Sequence, residues 1–338
     1  MMETGLNPEF KPTTRKIVQT EELFQGLRSG DKNALATAIT YVESNNPEQS
    51  SIGKEILKKC FPFSGKSRRI GITGVPGAGK STFIESIGKT IAAGSEKMAV
   101  LAIDPSSTLH KGSILGDKTR MQELSVLPNV FIRPSPSGNE LGGVARNTFE
   151  AMILCEAAGY NYIFIETVGV GQSETEVKFL TDCFVLLLIS GAGDELQGIK
   201  RGIMEMADLM IVNKADGSNL EKAKKTAIEI KTAMHIAGLN YSGNEIPVQL
   251  YSSTENTYQK EVLNYLEKFF SNIENSDKIH AIRSEQQLHL FQKTLQHSLI
   301  KKIIDSKNLT QIIREKEELI RKNQLSAFEA ADDIIDKI

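Results

Sequence analysis

The chain opens on a helical pattern of apolar positions and then changes period. Leu23, Leu27, Leu35, Ile39 and Val42 recur at roughly helical spacing, so residues 1–60 read as helical. Gly30-Asp31 reads as a turn, with Asp31 as the N-cap of a new helix. Phe61-Pro62-Phe63-Ser64-Gly65 breaks the pattern and serves as a boundary. From there to residue 275, short apolar runs alternate with helical stretches. Residues 69–73, 98–103, 129–132, 162–165, 183–189, 209–212 and 248–251 read as strands. Residues 79–93, 143–158, 220–235 and 259–270 read as helices. This alternation predicts an α/β fold with a mainly parallel sheet flanked by helices. Right-handed crossovers then gather the strand C-terminal ends on one edge, where ligands bind.

Beyond residue 276 no strand-like run follows. Leu288, Phe291, Leu295, Leu299 and Ile303 mark one apolar face of a long helix. Further helices are expected over residues 309–322 and 327–338. So apolar a face must dock on the core or on another subunit, and a dimer contact is the first expectation. The chain thus divides into an N-terminal helical region (1–60), an α/β domain (61–275) and a C-terminal helical arm (276–338).

Composition narrows the class. Of the 338 residues 40% are hydrophobic and 24% charged, which suits a soluble globular protein. A net charge of −2 argues against a nucleic-acid partner. No run reaches the roughly 18 apolar residues of a membrane span. The first residues mix Glu3, Glu9, Lys11 and Arg15 with no apolar core of a secretory signal, and Glu21 and Glu22 disfavour a transit peptide. A cytoplasmic protein is therefore expected. Cys60, Cys155 and Cys183 are far apart with no CxxC spacing and read as reduced thiols. His110, His235, His280, His289 and His297 form no metal-ligand pattern, and His289 and His297 read as surface or interface residues of a helix.

The chemistry sits in short motifs at strand ends. Gly74-Val75-Pro76-Gly77-Ala78-Gly79-Lys80-Ser81 fits GxxxxGK[ST], follows an expected strand and opens an expected helix, with Thr82 next in line. Its glycines let backbone N–H groups turn inward as an anion nest, and the helix N-terminus adds its dipole. Lys80 is expected to reach the β and γ phosphates, and Ser81 to ligate Mg²⁺. Asn213-Lys214-Ala215-Asp216 ends a late strand and reads as NKxD. A carboxylate there accepts from both the N1–H and the exocyclic amine of guanine, whereas adenine offers N1 as an acceptor. The expected ligand is therefore GTP or GDP. Asn213 is expected to brace the phosphate side and the Lys214 stem to cover the base. Tyr251-Ser252-Ser253-Thr254 follows the last strand, and Ser252, Ser253 and Thr254 are candidates for a second base-contacting loop.

Asp104, Asp117 and Glu166 are the acidic candidates for holding Mg²⁺ with Ser81. Glu166 opens Glu166-Thr167-Val168-Gly169, a DxxG-like stretch with Glu in place of Asp. Val170 stands where many GTPases carry a water-orienting Gln, and Gln172 comes two residues later. The glycine-rich residues 190–200 lie between two strands, the setting of a mobile loop. Its Lys200 could neutralise developing phosphate charge. Lys80, Lys200 and Glu166 are the catalytic candidates.

Together these stretches resemble one family. GVPGAGKST at residues 74–82, DPSS at 104–107, GSILGDKTRM at 112–121, RPSPSG at 133–138, LGGVAR at 141–146, ETVGVGQSE at 166–174, GAGDELQGIK at 191–200 and NKAD at 213–216 are similar to the MeaB/ArgK group of P-loop GTPases. The resemblance covers residues 20–275 well and the C-terminal helices in character only. It implies a homodimeric G protein with a slow intrinsic GTPase activated by its partner. That partner would be an adenosylcobalamin-dependent acyl-CoA mutase, methylmalonyl-CoA mutase or a sister such as isobutyryl-CoA mutase. Nucleotide state would gate cofactor delivery and protect the mutase. The loop with Lys200 matches the family's third switch and the helical C-terminus its dimerisation arm. Lys111, Asn139 and Asn147 depart from the family pattern, all in or beside switch-type loops. Two other readings stand beside it, a kinase of the older ArgK type and a metallochaperone GTPase. NKxD argues against the first and the lack of a Cys/His cluster in the sequence against the second.

Overall fold

The computed structural model describes residues 19–104, 121–136, 143–167, 173–190, 201–237, 246–304 and 307–336. The chain divides into two compact units, one from residues 1–67 and 150–161, the other from residues 68–149 and 162–338.

The first unit is helical, and local chemistry fixes its ends. α1 spans Thr20–Arg28, α2 Lys32–Val42 and α3 Pro47–Cys60. Gly30 takes φ 85°, and the Asp31 side chain then accepts from Asn33 N at 2.8 Å, the expected N-cap. Asn46 caps α3 through Glu48 N and Gln49 N, with Pro47 in the first turn. Leu23, Leu27, Leu35, Ile39 and Ile56 fill the core between these helices. Buried Glu156 closes the unit by accepting from Gly65 N at 2.6 Å and Ser67 Oγ at 2.5 Å.

The second unit holds the sheet. Its strands are β1 Arg68–Gly74, β2 Met98–Asp104, β3 Val130–Pro136, β4 Tyr162–Glu166, β5 Cys183–Ile189, β6 Leu209–Asn213 and β7 Val248–Leu250. Their order is β3-β2-β4-β1-β5-β6-β7, and every pairing is parallel. The expected mainly parallel sheet is thus parallel throughout among the described residues. Continuous apolar runs such as Cys183–Ile189 are what burial on both faces demands. Helices α4 Lys80–Ala93, α5 Gln122–Ser125, α6 Gly143–Ala157, α7 Ser173–Lys178, α8 Arg201–Met206, α9 Leu220–Ala237 and α10 Gln259–Asn275 lie between and after the strands in sequence, and residues 150–157 of α6 belong to the first unit. Two features differ from the sequence reading for physical reasons. β3 runs through Pro134 to Pro136 rather than ending at residue 132, because as an edge strand it tolerates missing N–H donors. The short helices α5, α7 and α8 have too few turns to show a period in sequence.

Strand order reverses around β1. The link from β1 leads to β2 on one side, while β5 on its other side leads towards β6 and β7. Such a switch point opens a crevice at the strand C-terminal ends. The ends of β1, β4 and β6 all fall on this edge, with Ile72 paired to Glu166 and Ile189 to Asn213.

Three helices follow: α11 Lys278–Ile304, α12 Lys307–Arg321 and α13 Ala327–Ile335. One face of α11 tracks residues 176–182 step by step. Arg283 Nε and Nη2 donate to the two oxygens of buried Asp182 at 2.9 and 2.7 Å, and Asp182 also accepts from Arg69 N at 3.0 Å. Gln286 Nε2 donates to Thr181 O at 2.8 Å. His289 stacks on Phe179 with centroids 4.0 Å apart, and Lys293 lies 3.7 Å from Glu176. His289, read from sequence as a surface or interface residue, is thus half-buried against an aromatic ring. The other face carries the expected apolar stripe, and Leu288, Phe291, Leu295 and Leu299 are 45–61% exposed. α13 opens with a capping box between Ser326 and Glu329.

Candidate nucleotide site

The loop from Gly74 to Gly79 is shaped by two glycines. Gly74 takes φ 148°, and a Cβ there would lie 2.2 Å from Leu187 O. Gly79 takes φ 84°, and a Cβ there would lie 2.7 Å from Asn213 Nδ2. Any side chain at either position would block the loop's close approach to β5 and to the end of β6. Val75 and Ala78 are buried, while Pro76, Gly77 and Thr82 are exposed. Lys80 Nζ donates to Gly74 O at 2.8 Å and Val75 O at 3.3 Å, so its ammonium lies against the loop it belongs to. Phe83 N donates to Gly79 O at 2.8 Å, the first turn of α4, so the loop runs straight into a helix N-terminus.

Ser81 and Glu166 meet across 85 positions of sequence, with Ser81 Oγ donating to Glu166 Oε1 at 2.7 Å. Glu166 is buried at the end of β4. Beside it, Thr167 N donates to Ile72 O at 3.0 Å and Thr167 Oγ1 to Thr73 Oγ1 at 3.0 Å, which holds the end of β4 to β1. A hydroxyl and a carboxylate in contact beside a phosphate-type loop are a hard-oxygen pair of the kind Mg²⁺ accepts. Ala102 pairs with Glu166, so the end of β2 at Asp104 lies on the same edge. The Asp104 side chain, Asp117 and Lys200 lie outside the described residues.

Asn213 is buried and bridges two segments. Its Nδ2 donates to Ala78 O at 2.8 Å, and its Oδ1 accepts from Ser253 Oγ at 2.9 Å. Lys214 is exposed with φ 59°, and its carbonyl accepts from Asn219 Nδ2 at 2.6 Å. Asp216 Oδ2 accepts from Ser252 Oγ and, at 3.1 Å, from Thr254 Oγ1. The Ser252–Thr254 loop therefore holds Asn213 and Asp216 in place. Its hydroxyls, expected from sequence to face the base, spend these contacts on the two NKAD side chains.

Two residues to which the sequence reading gave no role also belong here. Ser86 Oγ lies 2.6 Å from the Tyr251 hydroxyl, both fully or almost fully buried. Burial raises the Tyr251 phenol above its ordinary pKa, so it stays a neutral donor. The one available signal was a polar Ser86 on the otherwise apolar face of Phe83, Ile84 and Ile87.

A family model described as methylmalonyl Co-A mutase-associated GTPase MeaB matches residues 35–308. A Caulobacter vibrioides protein described as "Putative GTPase" is 56% identical over 216 residues, which is 64% of this chain and 66% of that protein. The Escherichia coli GTPase ArgK is 39% identical over 305 residues, 90% of this chain and 92% of that protein. A crystal structure described as LAO/AO transport system kinase is similar at a TM-score of 0.73 and 31% identity, covering 95% of this chain and 99% of that one. With a glycine-shaped loop, an NKAD turn and a parallel sheet arranged as described, the chain belongs to the MeaB family of methylmalonyl Co-A mutase-associated GTPases.

Proposed function

We propose that this GTPase is a nucleotide-gated chaperone. It would deliver adenosylcobalamin to, and protect, an acyl-CoA mutase such as methylmalonyl-CoA mutase. The nucleotide half of this reading is carried by Asn213, which joins the phosphate loop at Ala78 to the loop holding Asp216. That bridge supports one ligand with phosphates at residues 74–82 and a guanine at Asp216. Lys214 would cover the base, and Lys80 would turn to the β and γ phosphates. The Ser81–Glu166 pair supports a Mg²⁺ site, to which Asp104 and Asp117 would contribute. Bound there, the ion would neutralise phosphate charge. Lys200 would stabilise the charge that develops during hydrolysis.

The partner half rests on the family description, which names a methylmalonyl Co-A mutase. The exposed stripe on α11 supports a homodimer formed through the arm, residues 276–338. A kinase reading suits the name of the similar solved structure. It is less favoured, because the Asp216 carboxylate would face the acceptor N1 of adenine.

Phosphate release from GTP, measured with and without a purified adenosylcobalamin-dependent acyl-CoA mutase, tests both halves. The mutase should raise the rate, and Lys200→Ala should lose most of that gain. Equal stimulation of wild type and variant refutes the role of Lys200, and no stimulation by the methylmalonyl or isobutyryl enzyme refutes the partner.

A further inference from the structure

We propose that Tyr251 is a positioning residue for guanine recognition, setting the register between the phosphate-binding helix α4 and the base-reading turn. This rests on the nucleotide reading above. Tyr251 follows β7 directly and is fully buried. Its main chain grips both sides of the NKAD turn. Tyr251 N donates to Val212 O at 3.0 Å, one residue before Asn213, and its carbonyl accepts from Ala215 N at 3.0 Å, one residue before Asp216.

The side chain of the same residue runs to α4. Its ring meets Phe83 edge-on, with centroids 4.9 Å apart and planes at 72°. Its hydroxyl lies 2.6 Å from Ser86 Oγ. The direction of that bond follows from the neighbours. Ser86 has one hydroxyl proton and gives it to Asn256 Oδ1, which can only accept. Tyr251 is therefore the donor to Ser86. Gln259 Nε2 donates to Ser86 O at 3.0 Å and closes the cluster. Lys80 and Ser81 form the first turn of the same helix.

One stiff aromatic residue thus joins the two halves of the site. A nucleotide gripped at both ends binds as a linked pair, and its strength depends on the spacing of the two grips. The exocyclic amine of guanine reports the spacing best, because the carboxylate of Asp216 at the far end would receive it and a hypoxanthine base lacks it.

The test compares GDP with IDP, whose base lacks that amine, by calorimetry on the full chain with Mg²⁺. Tyr251→Phe keeps the ring and removes only the donor, and Ser86→Ala removes the acceptor. Each should lower the GDP-over-IDP preference by about fivefold, the worth of one buried hydrogen bond. The double variant should be no worse than either single one. An unchanged GDP-over-IDP ratio in both variants overturns the proposal. So does an equal loss for both nucleotides with a lowered melting temperature, which marks a merely structural role. The underlying reading fails separately: a wild-type chain with no preference for GDP over ADP would refute base reading by Asp216 whatever Tyr251 does.

Discussion

The side-chain amide of Asn213 donates to the backbone carbonyl of Ala78 at 2.8 Å, spanning 135 positions of sequence. The contact is possible only because Gly79, the next residue, has no Cβ to strike that amide. The loop from Gly74 to Gly79 and the Asn213–Asp216 turn are therefore fitted to each other.

Asp216→Asn should weaken GTP binding and shift preference towards xanthine nucleotides. The amide would present a donor where guanine also presents one, while xanthine offers a carbonyl instead. Two hydrogen bonds to a charged group at about 1.5–3 kcal/mol each imply a loss of about two to four powers of ten. Ser252 and Thr254 can turn from donors to acceptors, so the turn should survive. Competition binding of GTP against XTP checks this, and unchanged GTP affinity would sink the base-reading assignment.

Gly79→Ala should damage both stability and nucleotide binding. An L-residue held at φ 84° is strained by about 1–2 kcal/mol. Its Cβ would also displace Asn213 Nδ2 from 2.7 Å away, loosening the link to Ala78. A lowered melting temperature and a loss of GDP affinity of about tenfold or more are expected. A variant that binds GDP like wild type would show that the loop can relax without Asn213.

Asp182→Ala should destabilise the second unit without touching the nucleotide site. The carboxylate accepts from Arg283 twice and from Arg69 N, and it is buried. Breaking a buried pair from one side costs about 3–5 kcal/mol. Urea unfolding should show a loss of that order. A loss below about 1 kcal/mol, the scale of an exposed pair, would mean that α11 is held by other contacts.

The stack of His289 on Phe179 should give the arm a weak pH response. Burial, and then the Lys293 ammonium, hold the imidazole below its ordinary pKa, with Glu176 pulling the other way. In the window just below 6.5 the unfolded chain therefore carries more protons than the folded one. Stability should rise with pH through that window and be lost as pH falls. Hydrogen exchange in α11, compared at about pH 5 and about pH 8, should show more protection at the higher pH. His289→Gln should flatten the difference, and an equal difference in the variant would place its source elsewhere.

How much was legible in the sequence follows the range of the interactions. Central strands such as β5 were readable because strands buried on both faces must be apolar throughout, as in Cys183–Ile189. Asp31 and the glycine loop were readable because caps and tight turns depend on residues a few positions apart. Only the tertiary structure could decide that β3 is an edge strand able to carry Pro134 and Pro136, since strand order is a long-range property. The same holds for the site. The sequence by itself named the residues whose chemistry suits the proposed roles: Lys80 and Ser81 for phosphate and metal, Asp216 for guanine. The tertiary structure decided that Ser252 and Thr254 hold Asp216, that Ser81 meets Glu166, and that Tyr251 reaches Ser86. Motifs fix donors and acceptors, whereas a hydrogen bond needs two atoms within about 3 Å, and across dozens of residues only the packed fold sets that distance.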